Sequence, residues 1–151
     1  MAEQDQWHFC KKCGVMHYAP AKGPCMGGGQ HEAQGFNFVL PNDIPEAPFT
    51  QQNWRYCSEC HGLFYGGNPG RCIKGGGHKN NGSANFVLTH SLPEAPGKQG
   101  KWFCCSNCSL MNYGPFNGHC IVENDPSGGI LGHDPTGSFD FTLPHTKDFI
   151  N

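Results

Sequence analysis

At 151 residues, with a formal charge of −2, the chain carries 15% charged residues and no strongly basic segment. Residues 1–50 hold three basic and five acidic groups, 51–98 five and two, and 99–151 two and five. That balance gives no polyphosphate-binding face, so nucleic acid is not expected as a partner. Twenty-two glycines and twelve prolines point to turns, and no window keeps a 3.6-residue apolar period. No run approaches the ~18 apolar residues of a membrane span, so membrane insertion is not expected either.

The opening MAEQDQWHF lacks the basic and apolar regions of a secretory signal. The chain is therefore expected to start in the cytosol, where thiols stay reduced. The first predicted element is a β-hairpin from Trp7 to Tyr18. Strand-like WHF and MHY flank a C-x-x-C pair, as in a hairpin tipped by a metal knuckle. Gly23 then precedes Cys25 by two positions, as a tight turn needs. Asn37-Phe38-Val39-Leu40 reads as a closing strand with Phe and Leu on its inward face.

This first repeat spans 7–40. A connector follows at 41–53, its P-E-A-P core stiffened by proline. The frame returns over 54–88 with WRYCSECHGLFY, Gly70 before Cys72, and Asn85-Phe86-Val87-Leu88. A second connector, again with P-E-A-P, covers 89–101. The third repeat, 102–143, has WFCCSNCSLMNY, Gly118 before Cys120, and Asp140-Phe141-Thr142-Leu143. Periods of 47 (Cys10 to Cys57) and 48 (Cys57 to Cys105) mark a repeat architecture. Each repeat is too small to bury a core alone. The expected fold is one all-β domain over 1–151, with approximate threefold symmetry, trefoil- or prism-like, and little or no helix. The Phe/Leu strands should meet at a shared centre.

Nine of the ten cysteines fall in an identical C-x2-C-x11-C frame. A histidine follows as C-x5-H in two repeats, completing Cys10, Cys13, Cys25, His31 and Cys57, Cys60, Cys72, His78. Three thiolates and an imidazole make a tetrahedral set, and soft sulfur selects Zn²⁺. Three cysteines per repeat suit disulfides poorly. In the third repeat Cys105, Cys108 and Cys120 are followed by His133 after an inserted loop, ENDPSGGI, expected to be exposed. His119 is the rival fourth ligand. Cys104 aligns with Phe9 and Tyr56 and reads as a strand residue. Three structural zinc ions per chain are expected. A site with four protein ligands leaves no open position for water or substrate. His8, His17, His61, His90 and His145 form no nucleophile-like grouping, so no enzyme is expected.

The pattern W-x-x-C-x-x-C-x-x-[LM]-x-Y, then G-x-C, G-G-x-H and [ND]-F-x-L, resembles tandem cysteine/histidine modules of bacterial and fungal proteins. The resemblance covers 7–143 and implies action outside the cell after release. In repeat number the chain is also similar to β-trefoil and β-prism lectins, a likeness of fold alone.

Three functional readings follow. The first is a multivalent carbohydrate-binding protein directed at glycans or glycoconjugates on cell surfaces. Its candidate ligand-binding residues are the recurring Trp7, Tyr18 and Asn37, then Trp54, Tyr65 and Asn85, then Trp102, Tyr113 and Asp140. Three weak sites on one rigid body would add avidity. Against this, tryptophan beside a knuckle can shield the metal, and buried aromatics in small domains are usually core. The second reading is a zinc-stabilised protein-interaction scaffold. The third is single-stranded RNA binding, which needs more Arg and Lys beside the aromatics than Lys11, Lys12, Arg55 and Lys101 supply.

Overall fold

The computed structural model of the chain describes residues 2–116, 118–121 and 132–151. Among them there is no helix. Nine strands follow in order: β1 (Ala2–Cys10), β2 (Met16–Tyr18), β3 (Ala33–Asn42), β4 (Thr50–Tyr56), β5 (Leu63–Tyr65), β6 (Phe86–Thr89), β7 (Lys98–Cys104), β8 (Met111–Tyr113) and β9 (Phe141–Ile150). Each repeat uses three of them in the same way. A first strand pairs with a three-residue second strand across the knuckle, in the registers Trp7↔Tyr18, Trp54↔Tyr65 and Trp102↔Tyr113. The same first strand pairs on its other side with the closing strand of its repeat.

The first strand is bulged at one recurring place, between Gln4 and Trp7, Gln51 and Trp54, and Gln99 and Trp102. Gln6, Asn53 and Lys101 sit there with φ of 68°, 73° and 67°. A bulge leaves a residue out of the ladder, and its amide must be satisfied some other way. Oδ1 of Asn37, Asn85 and Asp140 accepts those amides at 2.6, 2.6 and 2.8 Å.

The closing strands join the repeats into a ring. Asn42 pairs with Phe86, His90 with Phe141 and His145 with Phe38, so each repeat meets the next and the third returns to the first. At the knuckle end the second strands close a smaller ring through His17↔Gly62, Phe64↔Leu110 and Val15↔Asn112. The axis is crowded at Gly62, where a Cβ would meet Leu110 Cδ2 at 2.7 Å and the leucine would have to shift. The fold is therefore all-β, with three repeats around a common centre.

Two buried layers fill it. One holds Trp7, Trp54, Trp102, Phe38, Phe86, Phe141, Leu40, Leu88 and Leu143, with Met16, Leu63 and Met111. Here each tryptophan packs edge-on against the closing-strand Phe of the next repeat: Trp7 on Phe86 at 5.4 Å, Trp54 on Phe141 at 5.2 Å, Trp102 on Phe38 at 5.3 Å. The other layer gathers the nine frame cysteines around Val15, Phe64 and Leu110.

Some expected boundaries move. The strands run beyond the repeats as read from the sequence: β1 begins at Ala2, β4 at Thr50 and β7 at Lys98. The connectors 41–53 and 89–101 are shorter than expected, because their last residues are strand. Their shared glutamate is structural: Glu46 Oε2 accepts the Gln52 amide at 2.9 Å, and Glu94 Oε2 the Gly100 amide at 2.8 Å. The closing strand β9 continues to Ile150, where it pairs with Gly35 on β3. The inserted ENDPSGGI segment, expected as an exposed loop, lies outside the described residues.

Candidate metal centres and the seams between repeats

Each knuckle is a tight hydrogen-bonded turn. Cys10, Cys57 and Cys105 donate their amides to Val15, Gly62 and Leu110 carbonyls at 3.0, 2.9 and 3.1 Å. The residue after the second cysteine is left-handed in all three (Gly14 φ 81°, His61 φ 64°, Ser109 φ 69°) and bonds back to the first. A second turn presents the third cysteine, with Cys25 and Cys72 amides on Gly29 and Gly76 carbonyls at 2.9 and 2.8 Å.

These turns bring together Cys10, Cys13, Cys25 and His31; Cys57, Cys60, Cys72 and His78; and Cys105, Cys108, Cys120 and His133, each set buried and with ligand atoms within 4.8 Å of one another. His133, not His119, completes the third set; the His119 amide instead donates to the Cys13 carbonyl at 3.1 Å. The spacing can be tested against zinc. A tetrahedron with Zn–S bonds of ~2.3 Å has sulfur–sulfur edges of about 3.8 Å. The Cys10–Cys25, Cys57–Cys72 and Cys105–Cys120 sulfurs are 3.7, 3.9 and 3.7 Å apart. Sulfur to histidine Nδ1 measures 3.4, 3.5 and 3.5 Å. No cysteine is in a disulfide, whose sulfurs would be ~2.05 Å apart.

Electrostatics gives the same answer. Thiol donors Cys13 and Cys25 hold the Cys10 thiol far below its ordinary range, and Cys60 and Cys72 do so for Cys57. The second cysteine shifts the opposite way: burial, then Cys10 and Cys25, push Cys13 up, while Cys57 and Cys72, then burial, push Cys60 up. Burial opposes protonation of His31 and His78, but neighbouring thiolates raise both to about 9. Three sulfurs this close cannot all ionise by themselves. A divalent cation between them reverses that, as zinc does in saturated sites of three cysteines and one histidine. The three buried groups are structural zinc sites.

The free ring nitrogen of each ligand histidine reaches into the next repeat. His31 Nε2–H donates to the Cys60 carbonyl at 3.2 Å, His78 to Cys108 at 2.9 Å and His133 to Cys13 at 2.9 Å. The glycine two before the third cysteine serves this contact as well as its turn. A Cβ built on Gly23, Gly70 or Gly118 would fall within 3.0 Å of that same carbonyl oxygen.

The sequence-predicted ligand-binding residues divide. Trp7, Trp54 and Trp102 are 0% exposed and cannot stack on a ligand. That expectation is corrected: they are core, each with its indole N–H on Gln4, Gln51 or Gln99 three positions earlier, at 3.0, 2.9 and 3.0 Å. Asn37, Asn85 and Asp140 have a structural task at the bulge, where their Oδ1 atoms accept the first-strand amides. The Q-x-x-W pattern recurs in all three repeats and was the signal available for the glutamines. Cys104 lies in β7 as expected, its thiol directed at the Cys105 and Ser109 carbonyls and pushed up to about 11 by burial.

Tyr18, Tyr65 and Tyr113 are different: half-buried, they line recesses at the seams between repeats. The three recesses share a frame of positions, though not the same side chains. Each joins the Gln and Tyr of one repeat to the strand residue Tyr56, Cys104 or Phe9 and the closing-strand approach of the next. Their volumes are 480 Å³ between repeats 1 and 2, 160 Å³ between 2 and 3, and 350 Å³ between 3 and 1. No protein-family model, curated protein or solved structure matches the chain.

Proposed function

We propose that the protein binds carbohydrate at the seams between its zinc-stabilised repeats, as a multivalent lectin-like protein acting on glycoconjugates at cell surfaces. The observation carrying this reading is that a recess recurs at each seam, framed by Gln4, Gln51 or Gln99, by Tyr18, Tyr65 or Tyr113, and by the closing-strand Phe of the next repeat. In the seam between repeats 1 and 2, Tyr18 and Tyr56 lie 6.1 Å apart with rings at 86°, beside Glu3, Gln4 and Ser83. An apolar ring face rimmed by hydrogen-bonding groups suits a sugar, whose C–H face is apolar and whose edge is polar. Ligand pockets typically measure ~300–1,000 Å³. The two larger seams, at 480 and 350 Å³, fall within that range and are the proposed sites, while the 160 Å³ seam falls below it. Two sites on one body still give avidity.

The reading assigns no chemistry to the metals, since each shell is complete with protein ligands. A net charge of −2 ranks single-stranded RNA below the other two readings. One observation favours the protein-interaction reading instead. Phe116, Phe149 and Ile150, near the 350 Å³ seam, are exposed at 45%, 56% and 43%, enough to anchor an apolar partner.

The test is a broad glycan array probed with zinc-loaded protein, beside a Tyr56→Ala variant. This position is Phe9 in repeat 1 and Cys104 in repeat 3, so the fold tolerates change there. Wild type should bind, and the variant should bind at least about tenfold more weakly, the loss of one good contact, with unchanged zinc content. Absence of both array binding and agglutination sinks the lectin reading, and the interaction scaffold takes its place.

A further inference from the structure

We propose that the three zinc sites load as one unit, because each ligand histidine is positioned by the knuckle of the following repeat. The geometry is cyclic. His31 depends on the Cys60 carbonyl, His78 on Cys108, and His133 on Cys13, so no site is first or last in the chain of contacts. A histidine that binds metal through Nδ1 is held in the right tautomer and ring orientation by the partner of its Nε2–H. Here that partner is the carbonyl of a cysteine which is itself a metal ligand. The carbonyl points correctly only when its own knuckle has closed, and closing a knuckle is what zinc does.

Two further contacts run along the same seams in the same sense. The amides of Tyr18, Tyr65 and Tyr113 donate to the carbonyls of His61, Ser109 and Gly14 at 3.0, 3.1 and 3.0 Å. Each acceptor directly follows the second cysteine of the next knuckle. Gly23, Gly70 and Gly118 complete the seam, since only a residue without a Cβ lets the third-cysteine turn lie against that carbonyl. Zinc at one repeat thus pre-orients the histidine of the repeat before it, around a closed ring. The carbonyls of Cys13, Cys60 and Cys108 are positioning groups in this arrangement, and the sulfurs of the same residues are ligands.

The experiment is a zinc titration of the metal-free, reduced full-length chain, followed by native mass spectrometry. Coupled loading leaves zinc-free and three-zinc chains as the main species throughout. Independent sites would populate one- and two-zinc chains in binomial proportions at half loading, and that result overturns the proposal. A His78→Cys variant separates the ring from the shared apolar core. It keeps four ligands in repeat 2, since sets of four cysteines also hold zinc, but cannot donate to the Cys108 carbonyl. It should still reach three zincs while accumulating partly loaded chains at half loading. Loading as cooperative as wild type would mean that the core, not the ring, carries the coupling. Gly70→Ala gives a reading that replaces no ligand side chain and presses on the Cys108 carbonyl instead: chelator should strip zinc at ~10–100-fold lower concentration, the usual effect of disturbing an outer partner. That loss should extend to all three metals; loss of the repeat 2 metal alone contradicts the ring.

Discussion

The two buried layers are built from the same three repeats but solve different problems. In the apolar layer the repeats are nearly interchangeable: Trp7, Trp54 and Trp102, Phe38, Phe86 and Phe141, Leu40, Leu88 and Leu143. In the metal layer the ligands recur, yet their neighbours do not. The axis residue, three positions before each seam tyrosine, is Val15, Gly62 or Leu110. The residue over the ligand histidine is His17 in repeat 1, stacked on His31 at 4.8 Å, and Phe64 in repeat 2, 4.9 Å from His78. Repeat 3 has Asn112, which donates to the Phe103 and Leu110 carbonyls. Close packing demands a fixed shape at every position, so the apolar layer repeats its side chains. Coordination takes its geometry from the ligand set, so the surroundings can vary, and a histidine thirteen positions after Cys120 serves as well as one six after Cys72.

The largest effect should come from removing the metals. Structural zinc contributes ~10–16 kcal/mol in small domains, against a typical net stability of ~5–15 kcal/mol. Strong chelator under reducing conditions should therefore abolish the β-sheet circular dichroism. Acid should do the same, because protons compete for the thiolates and imidazoles; stability is present at neutral pH and lost as pH falls. Next is Trp54→Ala in the apolar layer, expected to cost ~3–5 kcal/mol by denaturant melting while zinc content stays at three. It removes the edge-on contact to Phe141 at 5.2 Å as well as buried area. A Trp54→Ala chain that loses metal as well would mean the layers are not separable.

Asn85→Ala should cost ~1–3 kcal/mol by stranding the part-buried Asn53 amide, without weakening ligand binding at the seams. His17→Phe runs the other way. Burial holds the His17 imidazole down to about 4, and its Nδ1 has no hydrogen-bond partner among the described residues. Phe64 already occupies the equivalent place. The substitution should be neutral or stabilise by up to ~1–3 kcal/mol, read from chemical melts of zinc-loaded protein. Glu32→Gln comes last. It breaks only a half-exposed pair to Lys11 at 3.4 Å, so the melt should move by less than about 1 kcal/mol.

What could be read from the sequence follows the same division. Ligand spacing is local chemistry, and C-x2-C-x11-C with a glycine-flanked histidine identified all three sets, His133 included. The repeats and the all-β class were legible for the same reason. The roles of Trp54 and Asn85 were not. A tryptophan on a strand can face solvent or core, and here the deciding partner, Phe141, is 87 residues away in the next repeat. The carboxamide of Asn85 depends on a bulge at Asn53 that no local propensity announces. Gly70 read as a turn residue and is also the point where repeat 2 meets the Cys108 carbonyl. The shared centre of the Phe/Leu strands was legible, but the seam contacts were not, because comparing the repeats aligns equivalent positions and each repeat is completed by non-equivalent positions of its neighbour.

The most direct test of three structural zincs is the intact mass of the purified native protein, measured before and after denaturation in acid. Saturated sites in all three repeats require a native mass heavier by three zinc ions per chain, falling on denaturation to that of a chain with all ten thiols reduced. A native mass without metal, lowered by the hydrogens lost to disulfides, would contradict it. Two zincs in place of three would contradict the third site and the ring that passes through His133.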